Sequence, residues 1–166
     1  MIRVLLFMKI AHMKLIFATH NPGMLQEVKE LLAPKYEAIG LTELNDHEEI
    51  PENESTLEGN ALVKARAIWE KYQLSCFSDD TGLEIDALHG APGVLSARYG
   101  GIEKDPDLNM DKVLAELSDV ELRTAQFRTS IALIINGQER LFHGVVKGTI
   151  RKNRSGGDGF GYDPIF

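Results

Sequence analysis

Between Ala125 and Ile150 lies the stretch that most restricts the possible architecture. Ala125, Phe127, Thr129, Ile131, Leu133 and Ile135 alternate with other side chains, the period of a strand with one buried face. Asn136-Gly137 comes next, a dipeptide suited to the left-handed angles of a type I′ turn. Leu141 through Ile150 then returns as the partner strand. A long antiparallel hairpin is expected there.

Upstream, strands alternate with helices. Leu15-Ile16-Phe17-Ala18 reads as a first strand ending in the turn Thr19-His20-Asn21-Pro22-Gly23. Leu25, Val28, Leu31 and Leu32 then share one helical face until Pro34 stops the helix. Pro22 sits near its first turn, where proline is tolerated. Ala38 to Leu41 is a short strand candidate, and the acidic stretch Asp46 to Glu54, broken by Pro51, is a loop. Ser55 and Glu58 have capping-box spacing, and Leu57, Ala61, Ala65, Ile68 and Tyr72 form a stripe at helical intervals. Leu74-Ser75-Cys76-Phe77 reads as a buried strand with Asp79-Asp80-Thr81-Gly82 at its exit. Leu83, Ile85 and Ala87 suggest a further strand. Met110, Val113, Leu114 and Leu117 give one more helix. A glycine-rich loop, Ser155 to Gly159, leads into Phe160-Gly161-Tyr162-Asp163-Pro164-Ile165-Phe166. The sum is a mixed α/β fold: a twisted sheet with a long antiparallel hairpin and flanking helices.

The chain has 166 residues, 43% hydrophobic and 26% charged, which suits one globular domain with a sizeable core. Residues 1–12 read as an extension outside that domain, because Met13 directly precedes the first convincing strand. Their apolar block is broken by Lys9 and lacks a small-residue cleavage site, unlike a signal peptide. A single cysteine excludes an internal disulfide and makes a reducing compartment, the cytoplasm, the expectation. A formal net charge of −7 argues against a nucleic-acid polymer or an anionic membrane as partner. No apolar run reaches transmembrane length.

Four polar or flexible stretches fall at element ends, where sites usually form. Adjacent carboxylates at Asp79 and Asp80 cost desolvation energy unless a cation compensates them. Mg²⁺ with a phosphate substrate is one compensation, and an acidic turn is the alternative. Thr19 and Asn21 either offer an anion site at a helix N-terminus or merely cap the helix. Glu52 is a free carboxylate suited to a metal, whereas Glu58 is already used in the capping box. Asn60 and Lys64 lie four apart and could jointly address a phosphate; a solvated helix face is the alternative. Phe160 and Tyr162 either stack on a purine or belong to the core.

Five segments in order resemble the inosine triphosphate pyrophosphatase, or Ham1-like, family. They are Phe17–Gly23, Thr56–Ala65, Asp79–Leu83, Gly90–Tyr99 and Gly159–Pro164. The resemblance covers residues 13–166. It implies a central nucleotide cleft, a homodimer, and Mg²⁺-assisted hydrolysis of ITP, dITP and XTP to the monophosphate and pyrophosphate. It makes Asp80 the general base, Glu52 and Asp80 the metal ligands, and Thr19 and Asn21 phosphate contacts. Thr81 becomes a substrate contact, and Phe160, Gly161, Tyr162 and Asp163 the base-pocket segment.

Two departures accompany the resemblance. Members of that family carry a lysine where this chain has Met24. They also continue past Phe166 with a strand, a lysine, an Ile-Ser-His-Arg-like motif and a helix. The expectation is therefore a C-terminally incomplete domain of reduced activity and relaxed base selectivity. The alternative is a catalytically impaired, nucleotide-binding member.

Overall fold

The computed structural model describes residues 13–156 and 161–166. The proposed extension at residues 1–12 and the side chain of Phe160 lie outside the described residues. The elements run β1 (Met13–Phe17), α1 (Pro22–Leu32), β2 (Tyr36–Gly40), α2 (Leu57–Tyr72), β3 (Cys76–Ile85), α3 (Pro106–Glu116), β4 (Thr124–Ile135) and β5 (Gln138–Thr149), joined by short 3₁₀ turns. Five strands make one mixed sheet in the order β2-β1-β3-β4-β5. β1 is parallel to β2 and to β3, whereas β3, β4 and β5 are successively antiparallel.

The hairpin forms as its sequence pattern requires. β4 and β5 pair from Thr124↔Thr149 to Ile135↔Gln138, and Asn136 and Gly137 both take positive φ, 50° and 78°. Those angles match a type I′ turn, whose twist suits the flanking strands.

The carboxylate pair is placed differently from the expectation. Asp79 and Asp80 do not mark a strand's end; β3 is one strand of 10 residues that carries them at its centre. The Thr81-Gly82 turn signal loses to ladder pairing, because every residue from Cys76 to Ile85 has a partner on β4. Gly82 serves a close approach instead. A Cβ there would lie 2.5 Å from the carbonyl oxygen of Gly93, closer than van der Waals contact permits. Ala87 leaves the strand and joins a 3₁₀ turn, Asp86–Leu88.

Two further boundaries move. β2 begins at Tyr36 and ends before Leu41. The N-cap of α2 is Thr56, whose hydroxyl accepts from the Gly59 amide, so the capping box of Ser55 and Glu58 does not form. Glu58 pairs with Arg128 of β4 instead, a long-range ion pair that local spacing does not reveal.

Three apolar clusters hold the layers together. α2 buries Ala61, Ala65 and Ile68 against Ile16, Cys76, Ala132 and Ile134. On the opposite side, Leu25, Val28 and Leu32 of α1 pack on Leu15, Phe17 and Phe77, while Leu31 is left exposed. The third cluster joins Met110, Val113 and Leu117 to Leu83, Ile85, Tyr162 and Ile165. Fully burying one such Ile or Leu contributes about 2 kcal/mol.

Candidate active site

The site follows from a difference in strand length. β1 ends at Phe17, whose last partner on β3 is Phe77, and the two rings stack with centroids 4.6 Å apart. Beyond Phe77 no strand among the described residues lies beside the β1-facing edge of β3, so Asp79, Asp80 and Thr81 line an open cleft of about 510 Å³. The chain leaving β1 turns into α1 across the same opening and adds Thr19, Asn21 and Met24. Glu52, from the loop before α2, and Lys64 complete the wall.

A ladder of contacts from α2 sets the orientation of β3. The Cys76 thiol donates to the Ala65 carbonyl at 3.3 Å, the Ser78 hydroxyl to the Ala61 carbonyl at 2.5 Å, and Asn60 Nδ2 to Asp80 Oδ2 at 2.9 Å. Alternate β3 residues thus meet α2 at points progressively nearer its N-terminus. The side-chain Oδ1 of Asn60 accepts from the Glu54 amide at 2.9 Å, which ties the Glu52 loop to the same residue.

Asn60 is therefore not a phosphate contact in this structure. It is 1% exposed, and its amide is used to hold Asp80 and the loop. Lys64 does line the cleft, but its ammonium is paired with the Glu52 carboxylate. Glu52 and Asp80 face one shared opening.

Burial pushes the carboxyls of Asp79 and Asp80 above their ordinary range. For Asp80 the Asn60 hydrogen bond and the Lys64 charge oppose that shift, while the charges of Glu52 and Asp79 add to it. Carboxylates crowded together in a partly dry cleft favour a cation or a proton. Asp79 belongs to this group as fully as Asp80. Its position next to Asp80 was the available signal for it. Cys76 is inert by contrast, its thiol pushed up to about 11 by burial.

Asn21 acts as the N-cap of α1: its Oδ1 accepts from the amides of Gly23 and Met24 at 2.9 and 3.2 Å. Thr19 Oγ1 accepts from the Asn21 amide at 3.1 Å. Capping and lining of the cleft coexist in these two residues. The Thr81 hydroxyl is 2.8 Å from that of Thr129, which fixes its direction beside Asp79.

An apolar cavity of about 550 Å³ adjoins the cleft and is lined by Phe127, Ser96, Gly161, Tyr162 and Asp163. Tyr162 enters it only as a wall. The residue is 5% exposed, and its hydroxyl donates to the Ser96 carbonyl at 2.8 Å. Its ring belongs to the third apolar cluster, so it presents no open face for stacking. Met24, Thr81 and Lys104 line both spaces. Lys104 was not foreseen, because nothing in its local sequence distinguishes it from a surface lysine.

Comparison with known proteins places this geometry in a group. The model of the Ham1 family matches residues 15–166. A dITP/XTP pyrophosphatase of Flavobacterium psychrophilum is 48% identical over 154 residues, spanning 93% of this chain and 81% of that protein. One from Porphyromonas gingivalis is 51% identical over 154 residues, 92% of this chain and 79% of that protein. The solved structure of a HAM1 protein from Coxiella burnetii superimposes with a TM-score of 0.85 at 38% identity, covering 93% of this chain and 81% of that one.

Proposed function

The chain belongs to the Ham1 family, and we propose that it hydrolyses deaminated purine nucleoside triphosphates such as dITP, ITP and XTP to the monophosphate and pyrophosphate. The observation that carries this reading is the setting of Asp80. It is a half-buried carboxylate at an open strand edge, with one oxygen held by Asn60 and its group facing a cleft shared with Glu52 and Lys64. A carboxylate so oriented suits a general base. In the proposed reaction a water attacks the α-phosphorus and gives its proton to Asp80. The bond from that phosphorus to the bridging oxygen breaks, and pyrophosphate leaves.

The donor set fits a hard divalent cation. Among the described residues no three acidic, histidine or cysteine side chains form a ready metal cage. Mg²⁺ does not need one, since it commonly takes one or two carboxylates and fills its remaining positions with water and substrate phosphates. Glu52 and Asp80 would hold it. The ion would neutralise charge on the phosphates. Lys64, paired with Glu52 at the wall of the cleft, would add positive charge beside the polyphosphate.

The apolar cavity offers a place for the purine next to the polar cleft. A base bearing a 6-oxygen is selected over a 6-amino base when a buried donor is left unpaired by the wrong one. We propose further that a second copy of the chain covers β5. This edge strand exposes Leu141, Phe142, Val145 and Val146, and a long apolar edge invites pairing. A solution mass equal to one chain would contradict a homodimer. No helix among the described residues is long and apolar enough to cross a membrane; with a buried free thiol, a cytoplasmic location is the proposal.

The test is release of pyrophosphate from dITP and XTP compared with ATP, with and without Mg²⁺. Turnover of the deaminated substrates should exceed that of ATP, require the metal, and fall about 10²–10⁴-fold in Asp80→Asn. Absence of pyrophosphate from every purine triphosphate would overturn the reading.

A further inference from the structure

We propose that Lys104 grips the α-phosphate of the bound nucleotide, at the junction of the polar cleft and the apolar cavity. This rests on reading the cleft as a triphosphate pocket. A nucleotide's α-phosphate lies between its sugar and the rest of its polyphosphate. With the purine in the cavity and the polyphosphate in the cleft, that group must pass the place where the two spaces meet. The residues lining both are Met24, Thr81 and Lys104, and of these only Lys104 is charged.

The charge distribution points the same way. Glu49, Glu52, Asp79 and Asp80 line the cleft, so an anionic substrate needs cations there. Lys64 is engaged with Glu52. Among the described residues Lys104 forms no salt bridge. Of the two flanking carboxylates, Asp105 is occupied as the N-cap of α3, accepting from the amides of Asp107 and Leu108, and Glu103 forms no ion pair with Lys104 among the described residues. The ammonium of Lys104 is thus left to meet an anion.

The backbone below it is held firmly while the side chain stays exposed. Asn109 accepts from the Gly100 amide at 2.5 Å and donates to the Ala97 carbonyl at 3.1 Å, pinning the chain before Lys104. Lys104 itself has a φ of +55°, a left-handed angle uncommon for a side-chain-bearing residue. A flexible stem on a fixed base lets an ammonium follow a phosphate from substrate to product.

This location separates the roles of the two lysines. Lys64 lines the cleft alone, so it faces the part of the substrate that leaves as pyrophosphate. Lys104 faces the phosphate that stays on the nucleoside. Lys104 should therefore bind the monophosphate product as well as the triphosphate.

The experiment titrates inosine monophosphate by calorimetry into the full chain, and measures kcat and KM for inosine triphosphate. Wild type, Lys104→Met and Lys104→Arg are compared, with melting temperature as the folding control. Lys104→Met should weaken monophosphate binding by about tenfold to a hundredfold, the usual value of a charged hydrogen bond. Its kcat/KM should fall at least as much, and Lys104→Arg should recover most of both. Unchanged monophosphate affinity in Lys104→Met, or no recovery with arginine, overturns the proposal. Should the wild type bind the monophosphate yet turn over no purine triphosphate, the hydrolase reading falls, and the titration still decides the role of Lys104.

Discussion

Two regions of this molecule draw an acidic side chain away from water, Asp46 almost fully and Asp80 in part, and they treat it in opposite ways. At Asp46, 6% exposed, every direction is filled. Lys71 Nζ donates at 2.9–3.0 Å, the Tyr72 hydroxyl at 2.8 Å and the Glu48 amide at 3.2 Å. The Lys71 hydrogen bond is the largest cause that holds the Asp46 carboxyl down, at about 2. At Asp80 a single neutral donor, Asn60, is present among the described residues, and burial pushes the carboxyl the other way. The first charge is spent on joining α2 to the loop before it. The second is kept partly unsatisfied and turned toward a cleft. Buried charge is costly in either case, and what differs is whether the fold or a ligand compensates it.

The widest separation of the two regions should come from matched substitutions. Asp80→Asn is expected to lower turnover about 10²–10⁴-fold with a melting temperature equal to or above wild type, because it removes an under-compensated charge. Asp46→Asn should lower stability by about 2 kcal/mol and leave kcat unchanged, as read by denaturant melts and pyrophosphate release. If both variants lose activity and stability together, the contrast is wrong.

Next in size is the floor under Asp80. Gly82→Ala drives a Cβ to within 2.5 Å of the Gly93 carbonyl oxygen and 3.2 Å of Leu57, and should cost about 1–3 kcal/mol. Activity should fall with it, since Thr81 lies next in the strand. An unaltered melt would show that the loop at Gly93 yields easily.

Asn60→Ala tests the tie between the carboxylate and the Glu52 loop. It removes the donor to Asp80 and leaves the Glu54 amide without its acceptor. A loss of roughly 10–100-fold in activity is expected, together with weaker stability. Loss of stability alone would make Asn60 a purely structural residue.

The smallest effect is a pH dependence. Hydrogen bonds hold the carboxyl of Asp46 at about 2 in the folded chain, below the ordinary aspartate value of 3.8. A depressed folded value means its contribution is complete above about pH 4. It is then lost as pH falls toward about 2, with a total of about 2 kcal/mol. Melting temperatures of wild type and Asp46→Asn should converge over that window. Parallel curves would remove Asp46 as the source.

Much of this was legible in the chain, and the failures have a common cause. The hairpin and the stripe of α2 were readable because each depends on neighbours two, three or four residues apart. Asp80 and Glu52 stood out as carboxylates without a local use, and the cleft does bring them together. The errors arose where a distant partner overrode a local preference. Thr81-Gly82 is a turn signal, yet it lies within a strand because β4 pairs with it. Ser55 and Glu58 have cap spacing, yet Arg128 claims Glu58. Asn60 looks like a solvated polar residue and Tyr162 like an open platform, yet both are buried in hydrogen bonds to other elements.

Sequence by itself determined the repertoire: which segments become strands and helices, where the long hairpin turns, and which acidic residues have no nearby partner. These are decided by backbone preference and hydrophobic period, both local quantities. Only the tertiary structure decided that β1 stops short of β3's midpoint, so that an edge opens beside Asp79 and Asp80. It alone decided that Asn60 reaches that edge, and that Lys104 stands where the cleft meets the cavity. The physical reason is that a site is made by the relative length and packing of elements far apart in the chain, and no local preference encodes that distance.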